Sequence, residues 1–346
     1  MANMKIHVIL EPDITPDQLL EIGLLAERLD IAGLWVQNYA AGADPFMSLV
    51  PLARESSRIK LGVVIVSPYE THPAKMATSL LTLNEYSNGR ASMVIGGGGE
   101  WLGIMGIKHS WRVSMVREAV EIVREAARGG GVDGTINYQG ENYRAKYYRT
   151  PWVKEQTPAT VYGGVTKDKM LQMGACTADG VMLADLGLPS VVAGRIDVVN
   201  KALEASGRPR QDLLINNFLG WHVKEDAQEV YREARRELLI RAFLMKDWLT
   251  PFLSEEEADF VQDNKGAFVK AYQERTGIIE GVPQDIVDRI IDSLTITVPA
   301  ADSDKAVERL KQMEATGLDE ISLRLHDDPV DSIRLIGERV IPEFHR

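Results

Sequence analysis

The stretch Ile59-Lys60-Leu61-Gly62-Val63-Val64-Ile65-Val66-Ser67-Pro68-Tyr69-Glu70-Thr71-His72-Pro73-Ala74 decides the fold. Its first eight residues are a β-branched run of strand length, and its two prolines stiffen a long exit loop. His72 precedes a proline, which keeps it out of helical geometry and marks a helix start near Pro73–Tyr86. Ala91–Ile95 then reads as the next strand. Strand, loop, helix and strand in that order are the repeating unit of a parallel sheet.

The same alternation extends outward in both directions. Upstream lie strand Gly33–Gln37 with helix Phe46–Arg54, and strand Lys5–Leu10 with a helix to about Ile31. Thr15-Pro16-Asp17-Gln18 supplies that helix with an N-cap, a first-turn proline and a capping-box glutamine. Downstream, helix Ser114–Ala127 leads into a Gly-rich break and an irregular insertion near 128–158, with short strands around Asn137–Tyr143. Regularity resumes with strand Ala159–Tyr162, helix Lys167–Cys176, strand Gly180–Leu183 and helix Ser190–Ser206. Strand Leu213–Val223 and helix Asp226–Phe243 follow, then a mostly helical insertion near 246–297. Helix Ser303–Thr316, strand Glu320–Leu325 and helix Pro329–Ile341 close the pattern. Eight strands, each followed by a helix, fit a (β/α)8 TIM barrel in a single domain over 1–346. An open doubly wound sheet is the competing architecture.

Composition narrows the function classes. Hydrophobic residues make up 45% and charged residues 26%, as in ordinary globular proteins. The net charge of −11, from 50 acidic and 39 basic residues with no basic run, argues against nucleic acid as a partner. No apolar stretch reaches the roughly 18 residues of a membrane span, and the first residues lack a signal-peptide pattern. Cys176 is the single cysteine, so neither a disulfide within the chain nor a cysteine cage for a metal is expected. A cytoplasmic protein acting on a small molecule is the expectation.

On a barrel the chemistry belongs at the C-terminal ends of the strands. The positions to inspect are Glu11, Asn38 and Tyr39, 64–72, 96–101, Gly163 and Gly164, Asp185, His222 and His326. Ile95-Gly96-Gly97-Gly98-Gly99-Glu100-Trp101 lets a backbone approach a flat or phosphorylated ligand closely, or is simply a strand-to-helix turn. It matches neither the dinucleotide fingerprint nor a P-loop. Tyr162-Gly163-Gly164-Val165-Thr166-Lys167 suits a phosphate at a helix N-terminus, or a turn with Thr166 as N-cap. His72 is a possible base or a structural loop residue. His222 and His326 stand at strand ends, Arg195 and Arg324 read as surface or rim residues, and Met170 and Met173 as core. The histidines show no metal-binding spacing, and no Gly-x-Ser-x-Gly elbow exists.

Taken in order, these motifs resemble the bacterial luciferase-like superfamily, in particular its coenzyme F420-dependent branch near the methylenetetrahydromethanopterin reductases. The stretches that carry the likeness are Leu61-Gly62-Val63, Ser67-Pro68-Tyr69, His72-Pro73-Ala74, Thr82–Ala91, Gly163-Gly164, Ala178-Asp179-Gly180-Val181 and Thr316–Ile321. The resemblance implies a β/α barrel, usually a homodimer, with a flavin or deazaflavin at the strand C-termini. It implies a non-prolyl cis peptide at Val64-Ile65, in a bulge supporting one face of the ring. Cofactor contacts carry over to Asn38, Val64, Ile65, Gly98, Gly99, Gly163 and Gly164. Asn38-Tyr39 stands where F420-using relatives have an Asp-His pair. Glu11 lies near the position of a strand-one glutamate of the reductases, which itself falls on Ile9. Glu100, Tyr39 and Glu11 are the candidate proton-handling residues. The implied activity is an F420-dependent oxidoreductase acting on CH–NH or CH–OH groups. Lys167, Lys169 and Arg195 are expected near the groove for the cofactor's anionic tail. The alternatives on the same barrel are an FMN-dependent two-component monooxygenase and a non-catalytic flavin-binding barrel. The second insertion is expected to contribute to a lid or substrate wall.

Overall fold

The β-branched run at 60–66 is a strand, and seven others close a barrel with it. The computed structural model describes residues 3–344 apart from 12, 41, 109–112, 131–132, 166 and 242–243. In chain order the elements are β1 (Lys5–Leu10), α1 (Pro16–Arg28), β2 (Gly33–Gln37), α2 (Pro45–Glu55), β3 (Lys60–Val66), α3 (Pro73–Tyr86) and β4 (Ala91–Ile95). There follow α4 (Glu100–Ile104), α5 (Val113–Ala127), the hairpin β5 (Thr135–Gln139) and β6 (Arg144–Arg149), β7 (Thr160–Gly164), α6 (Asp168–Thr177), β8 (Gly180–Ala184) and α7 (Pro189–Ser206). The last third holds β9 (Leu214–Lys224), α8 (Ala227–Arg236), α9 (Lys246–Leu249), α10 (Glu255–Asp263), α11 (Lys265–Gln273), α12 (Gln284–Leu294), β10 (Thr295–Pro299), α13 (Ser303–Glu314) and β11 (Glu320–Arg324).

All barrel pairings are parallel, in the order β1-β2-β3-β4-β7-β8-β9-β11, with β11 returning to β1. The structure is therefore the closed barrel and not the open sheet. Thr15 caps α1 as its sequence requires: the Gln18 N–H donates to Thr15 Oγ1 at 3.3 Å, and the Thr15 N–H donates to Gln18 Oε1 at 3.0 Å. Thr166 lies outside the described residues, and α6 has Lys167 at its N-cap without a side-chain capping bond.

Two elements differ from the sequence expectation. The insertion near 246–297 is helical as expected but ends in a ninth strand. β10 pairs with Gly220–Lys224, the upper half of β9, whose lower half pairs with β8 and β11. β9 spans 11 residues and so outruns the barrel, leaving an edge that the returning insertion covers. The helix expected over Asp226–Phe243 stops at Arg236, because the chain turns there to bury Arg236, Glu237 and Arg241. Phe243 itself lies outside the described residues.

Strand alternation sorts the side chains. Ile6, Val8, Leu10, Ile321, Leu323 and Leu325 face the helices in the main apolar core, where each contributes about 1.5–3 kcal/mol. The inward set on β1, β9 and β11 is far more polar: His7 and Glu11, Asn216 and His222, then Glu320, Ser322, Arg324 and His326. At the barrel floor Glu320 accepts from the Tyr162 hydroxyl at 2.8 Å and the Asn216 amide at 3.0 Å. Trp35 Nε1 donates to His7 Nδ1 at 3.0 Å. Gly62 makes room for this layer, since a Cβ there would lie 1.9 Å from the Trp35 ring. Above it Ile9, Val64, Val94 and Met182 form an apolar plug on which the mouth rests.

Candidate active site

On the β2–β3–β4 side the mouth is built from backbone. The Val64–Ile65 peptide is cis, and it sits where the β3–β4 register shifts between Val63 and Val66. Asn38 clamps this segment twice. Its N–H donates to Val64 O at 2.9 Å and its Nδ2 to Ile65 O at 3.2 Å. The second Nδ2 hydrogen goes to Glu70 Oε2 at 3.1 Å. Gly98 has φ +90°, and a Cβ there would lie 2.9 Å from both Leu102 Cδ1 and Ser67 Oγ. Glycine is required at that position for backbone and space alike.

Gly99 borders open space, with nothing among the described residues within 4 Å of a Cβ built on it. Ile65 reaches across the mouth towards β4 and β7, where Cβ atoms on Gly96 and Gly164 would lie 2.7 and 2.6 Å from its Cδ1. Gly163, one residue earlier on β7, falls on the opposite face by strand alternation. A Cβ there would meet Gly174 of α6 at 3.5 Å. Gly164 therefore faces the mouth and Gly163 the helix layer. Glu100 is exposed at the start of α4 and accepts the Ala40 N–H at 2.9 Å, joining the β2 and β4 exits.

The β1–β9–β11 side is built from buried charge. Arg324 Nε donates to Glu11 Oε1 at 2.9 Å, and its guanidinium carbon lies 5.6 Å from the centre of the Tyr39 ring. The Gln37 amide, oriented by its neighbours, donates to the Tyr39 hydroxyl at 2.8 Å and accepts from Arg324 Nη2 at 3.1 Å. Burial raises the Tyr39 pKa against the opposing pull of Arg324, so the phenol keeps its proton at neutral pH. Burial also opposes the Arg324 charge, but Glu11, Tyr39 and Glu237 together outweigh it and keep the guanidinium ionised.

Behind this pair lies Arg241, fully buried. It donates to His326 Nε2 at 2.5 Å and His222 Nε2 at 3.3 Å, and pairs with Asp185 at 3.4 Å. The two imidazoles stack at 5.3 Å. Accepting at Nε2 fixes their protons on Nδ1, which faces Glu233 at 2.8 Å in His222 and Glu11 at 3.1 Å in His326. Burial lowers both histidine pKa values, and the nearby guanidinium of Arg241 adds to it, so both rings are neutral. The phenol of Tyr272 on α11 lies within electrostatic reach of Glu237, Arg324, Tyr39 and Glu11. The second insertion thus supplies part of this wall.

Glu11, Tyr39, Asn38, Val64, Ile65, Gly98, Gly99, Glu100 and Gly164 all gather at one mouth, on strands far apart in sequence. Arg324, Arg241, Gln37 and Glu70 belong with them. Arg324, read from the sequence as a surface or rim residue, is buried because Glu11 pairs with it inside the barrel. Glu70 lay unassigned within the 64–72 stretch, and Arg241 and Gln37 did not stand out. For Arg324 a signal existed: it interrupts an apolar strand at an inward position, where a charge needs a partner. His72 is the N-cap of α3, its Nδ1 accepting the Ala74 N–H at 3.2 Å, which accounts for it structurally. Of the cations expected along a tail groove, Lys167 pairs with Asp247 at 3.2 Å, and Arg195 pairs with Asp168 at 2.6 Å and lies over Trp248. Lys169 is exposed on α6. Among the described residues no group of three or more His, Cys, Asp or Glu side chains is arranged to hold a metal ion. No helix of the described residues is long and apolar enough to cross a membrane.

Comparison with known proteins agrees with this geometry. The chain is 26% identical over 350 residues to a 5,10-methylenetetrahydromethanopterin reductase of Archaeoglobus fulgidus, covering 99% of this chain and 100% of the relative. The solved coenzyme F420-dependent tetrahydromethanopterin reductase of Methanopyrus kandleri superposes with a TM-score of 0.81 at 20% identity, over 99% of this chain and 100% of that one. An F420-dependent secondary alcohol dehydrogenase, solved with an F420–acetone adduct, gives 0.74 at 15% identity over the whole of both chains. These two likenesses establish the barrel. The model of the luciferase-like monooxygenase family matches residues 4–320, and the chain belongs to that family.

Proposed function

We propose that this chain is a coenzyme F420-dependent oxidoreductase that transfers a hydride between the deazaflavin and a small organic substrate at the barrel mouth. The observation that carries the reading is the open cradle bounded by Ile65, Gly98, Gly99 and Gly164 facing the polar wall of Tyr39, Glu11 and Arg324. The end-to-end similarity to a methylenetetrahydromethanopterin reductase supports it. A flat ring fits this cradle because its floor is apolar and its rim is glycine backbone, with no side chain of the described residues filling the space beside Gly99. Ile65, Gly98, Gly99 and Gly164 would hold the ring, with Asn38 keeping the Val64–Ile65 segment in place.

When bound, a deazaflavin supplies a ring carbon that carries the hydride. The chain's own residues position, exclude water and handle protons. Tyr39 keeps its phenolic proton and presents a donor held by Gln37. Glu11 is an acceptor whose direction is fixed by Arg324 and His326. Glu100 is an exposed carboxyl at the mouth, held at the start of α4 by the Ala40 N–H. We assign these three residues the proton balance and Asn38, Val64 and Ile65 the support of the ring. A cytoplasmic homodimer is the form in which we expect the enzyme to work, on the family likeness.

A spectral titration of the purified protein with F420 and, separately, with FMN tests this. F420 should saturate the protein at the lower concentration. FMN binding as tightly or tighter, with oxygen consumption when a flavin reductase is added, would replace this reading by the two-component monooxygenase.

A further inference from the structure

Glu70 is a half-buried carboxyl at the cradle for which the hydride chemistry above has no use. It sits in the loop after β3, and its side chain folds back to Asn38 Nδ2 at 3.1 Å and to the N–H of Gly99. We propose that Glu70 is a positioning residue: its ionised carboxylate straps the β2 exit to the β4 exit through Asn38 and Gly99, and so holds the two walls of the ring cradle together. The inference rests on the deazaflavin reading only for the ligand used to read it out.

The geometry leaves little slack. Asn38 Nδ2 has two hydrogens, one spent on Ile65 O and the other on Glu70, so the amide that supports Ile65 is itself oriented by this carboxylate. Gly99 precedes α4, and no side chain of that helix caps its start. The loop carrying Glu70 is stiff. The N–H groups of Glu70 and Thr71 both donate to Ser67 O at 3.1 Å, and the Tyr143 hydroxyl of the hairpin turn donates to Pro68 O at 2.7 Å. That turn is in turn fastened to α5, because Glu118 accepts the N–H groups of Glu141, Asn142 and Tyr143 at 2.8–2.9 Å. The first insertion therefore braces the strap from behind.

Tyr69 and His72 share the loop of Glu70, and Tyr39 and Glu100 stand at the two exits it joins; among the described residues no cation acts on its carboxyl. Burial raises the Glu70 pKa to about 7, and only the Asn38 and Gly99 hydrogen bonds oppose it. At Glu70 the folded chain thus keeps a proton that the unfolded chain releases near the ordinary carboxyl value of 4.5, and this group's contribution to stability falls as pH rises from there through about 7. Ionised Glu70 works against folding while it tightens the strap, which is the pattern of a residue kept for its site.

The test compares wild type with Glu70→Gln, an analogue of the protonated form, between about pH 5.5 and 8.5. The ratio of their F420 dissociation constants should be near one at the acid end and rise to roughly tenfold at the alkaline end. The ratio cancels any titration belonging to F420 itself. The variant should melt no lower than wild type at the alkaline end. Independently of ligand, the Gly99 amide resonance of glycine-labelled apo-protein should shift with a midpoint near 7, and this titration should vanish in Glu70→Gln. Glu70→Ala replaces the glutamine variant if that one does not fold. A Gly99 resonance that stays still, or a flat affinity ratio, overturns the proposal. Wild type that binds no F420 at any pH sinks the deazaflavin reading alone, and the Gly99 titration then decides Glu70.

Discussion

Around Glu11 the barrel mouth is built from buried charge, whereas around Gly99 it is built from backbone. On the first side Arg324, Arg241, His326 and Glu237 are almost inaccessible to water, and each is held by at least one oppositely charged or hydrogen-bonding neighbour. On the second, glycines and the Asn38 clamp leave an open surface with few charged groups. The difference follows from what each side must do. A wall that fixes donors and acceptors for a substrate needs groups that cannot turn, and buried ion pairs supply that rigidity at a desolvation cost. A surface for a flat ring needs space, which side chains would fill.

Breaking the charged side should have the largest effect. Arg241→Met removes the cation shared by Asp185, His222 and His326 and leaves a carboxylate buried beside them. Loss of one partner from such a cluster should lower stability by about 3–5 kcal/mol, read by urea unfolding. A variant as stable as wild type would mean that the cluster is wet and loosely held.

Acid should expose the same weakness without mutation. Unfolded histidines take up protons near pH 6.5, but burial keeps His7 neutral down to about 4, and His222 and His326 are shifted the same way. At these three histidines the unfolded chain therefore binds more protons in that window, outnumbering the single Glu70 that acts the other way, and stability drops as pH falls from about 6.5 towards 4. For His7 alone the full difference is about 3 kcal/mol. Melting curves across that range check the fall, and a melting temperature that stays flat would contradict the buried neutral state.

The backbone side should respond in turnover instead. Glu100 is exposed, so Glu100→Gln should leave the melting temperature in place while lowering turnover about 10²-fold, with F420 affinity nearly intact. Unchanged turnover would leave Glu100 as a strut for Ala40 alone. The smallest effect belongs to the exposed Lys167–Asp247 pair, whose two side chains are 66% and 71% accessible. Lys167→Ala should change stability by only about 0–1 kcal/mol, and less in high salt.

How far the sequence could be read differs between these regions for a physical reason. The glycine run and the Asn38-Tyr39 step are local, adjacent to strand ends, and stand out as strings. The charged wall is not local. Arg324 meets Glu11 across 313 positions and Arg241 meets His326 across 85, so each looks like an ordinary surface charge until the barrel closes. β10 was hidden for another reason. It follows α12 with no turn between them, and five residues are too few for a period to separate strand from helix.

The sequence by itself determined the eight strands and the helices between them, because apolar runs of strand length alternate with capped amphipathic helices and that pattern has few ways to bury its faces. It also determined which residues stand at strand ends. Tertiary structure alone decided that Gly164 and not Gly163 faces the mouth, and that β9 carries an extra partner. It alone tied Glu70 to Asn38 and Gly99, and brought Arg324 to Glu11 and Arg241 to Asp185. Those outcomes depend on register and on closure of the ring of strands. Register sets which face a side chain takes, and closure brings the first and last strands together.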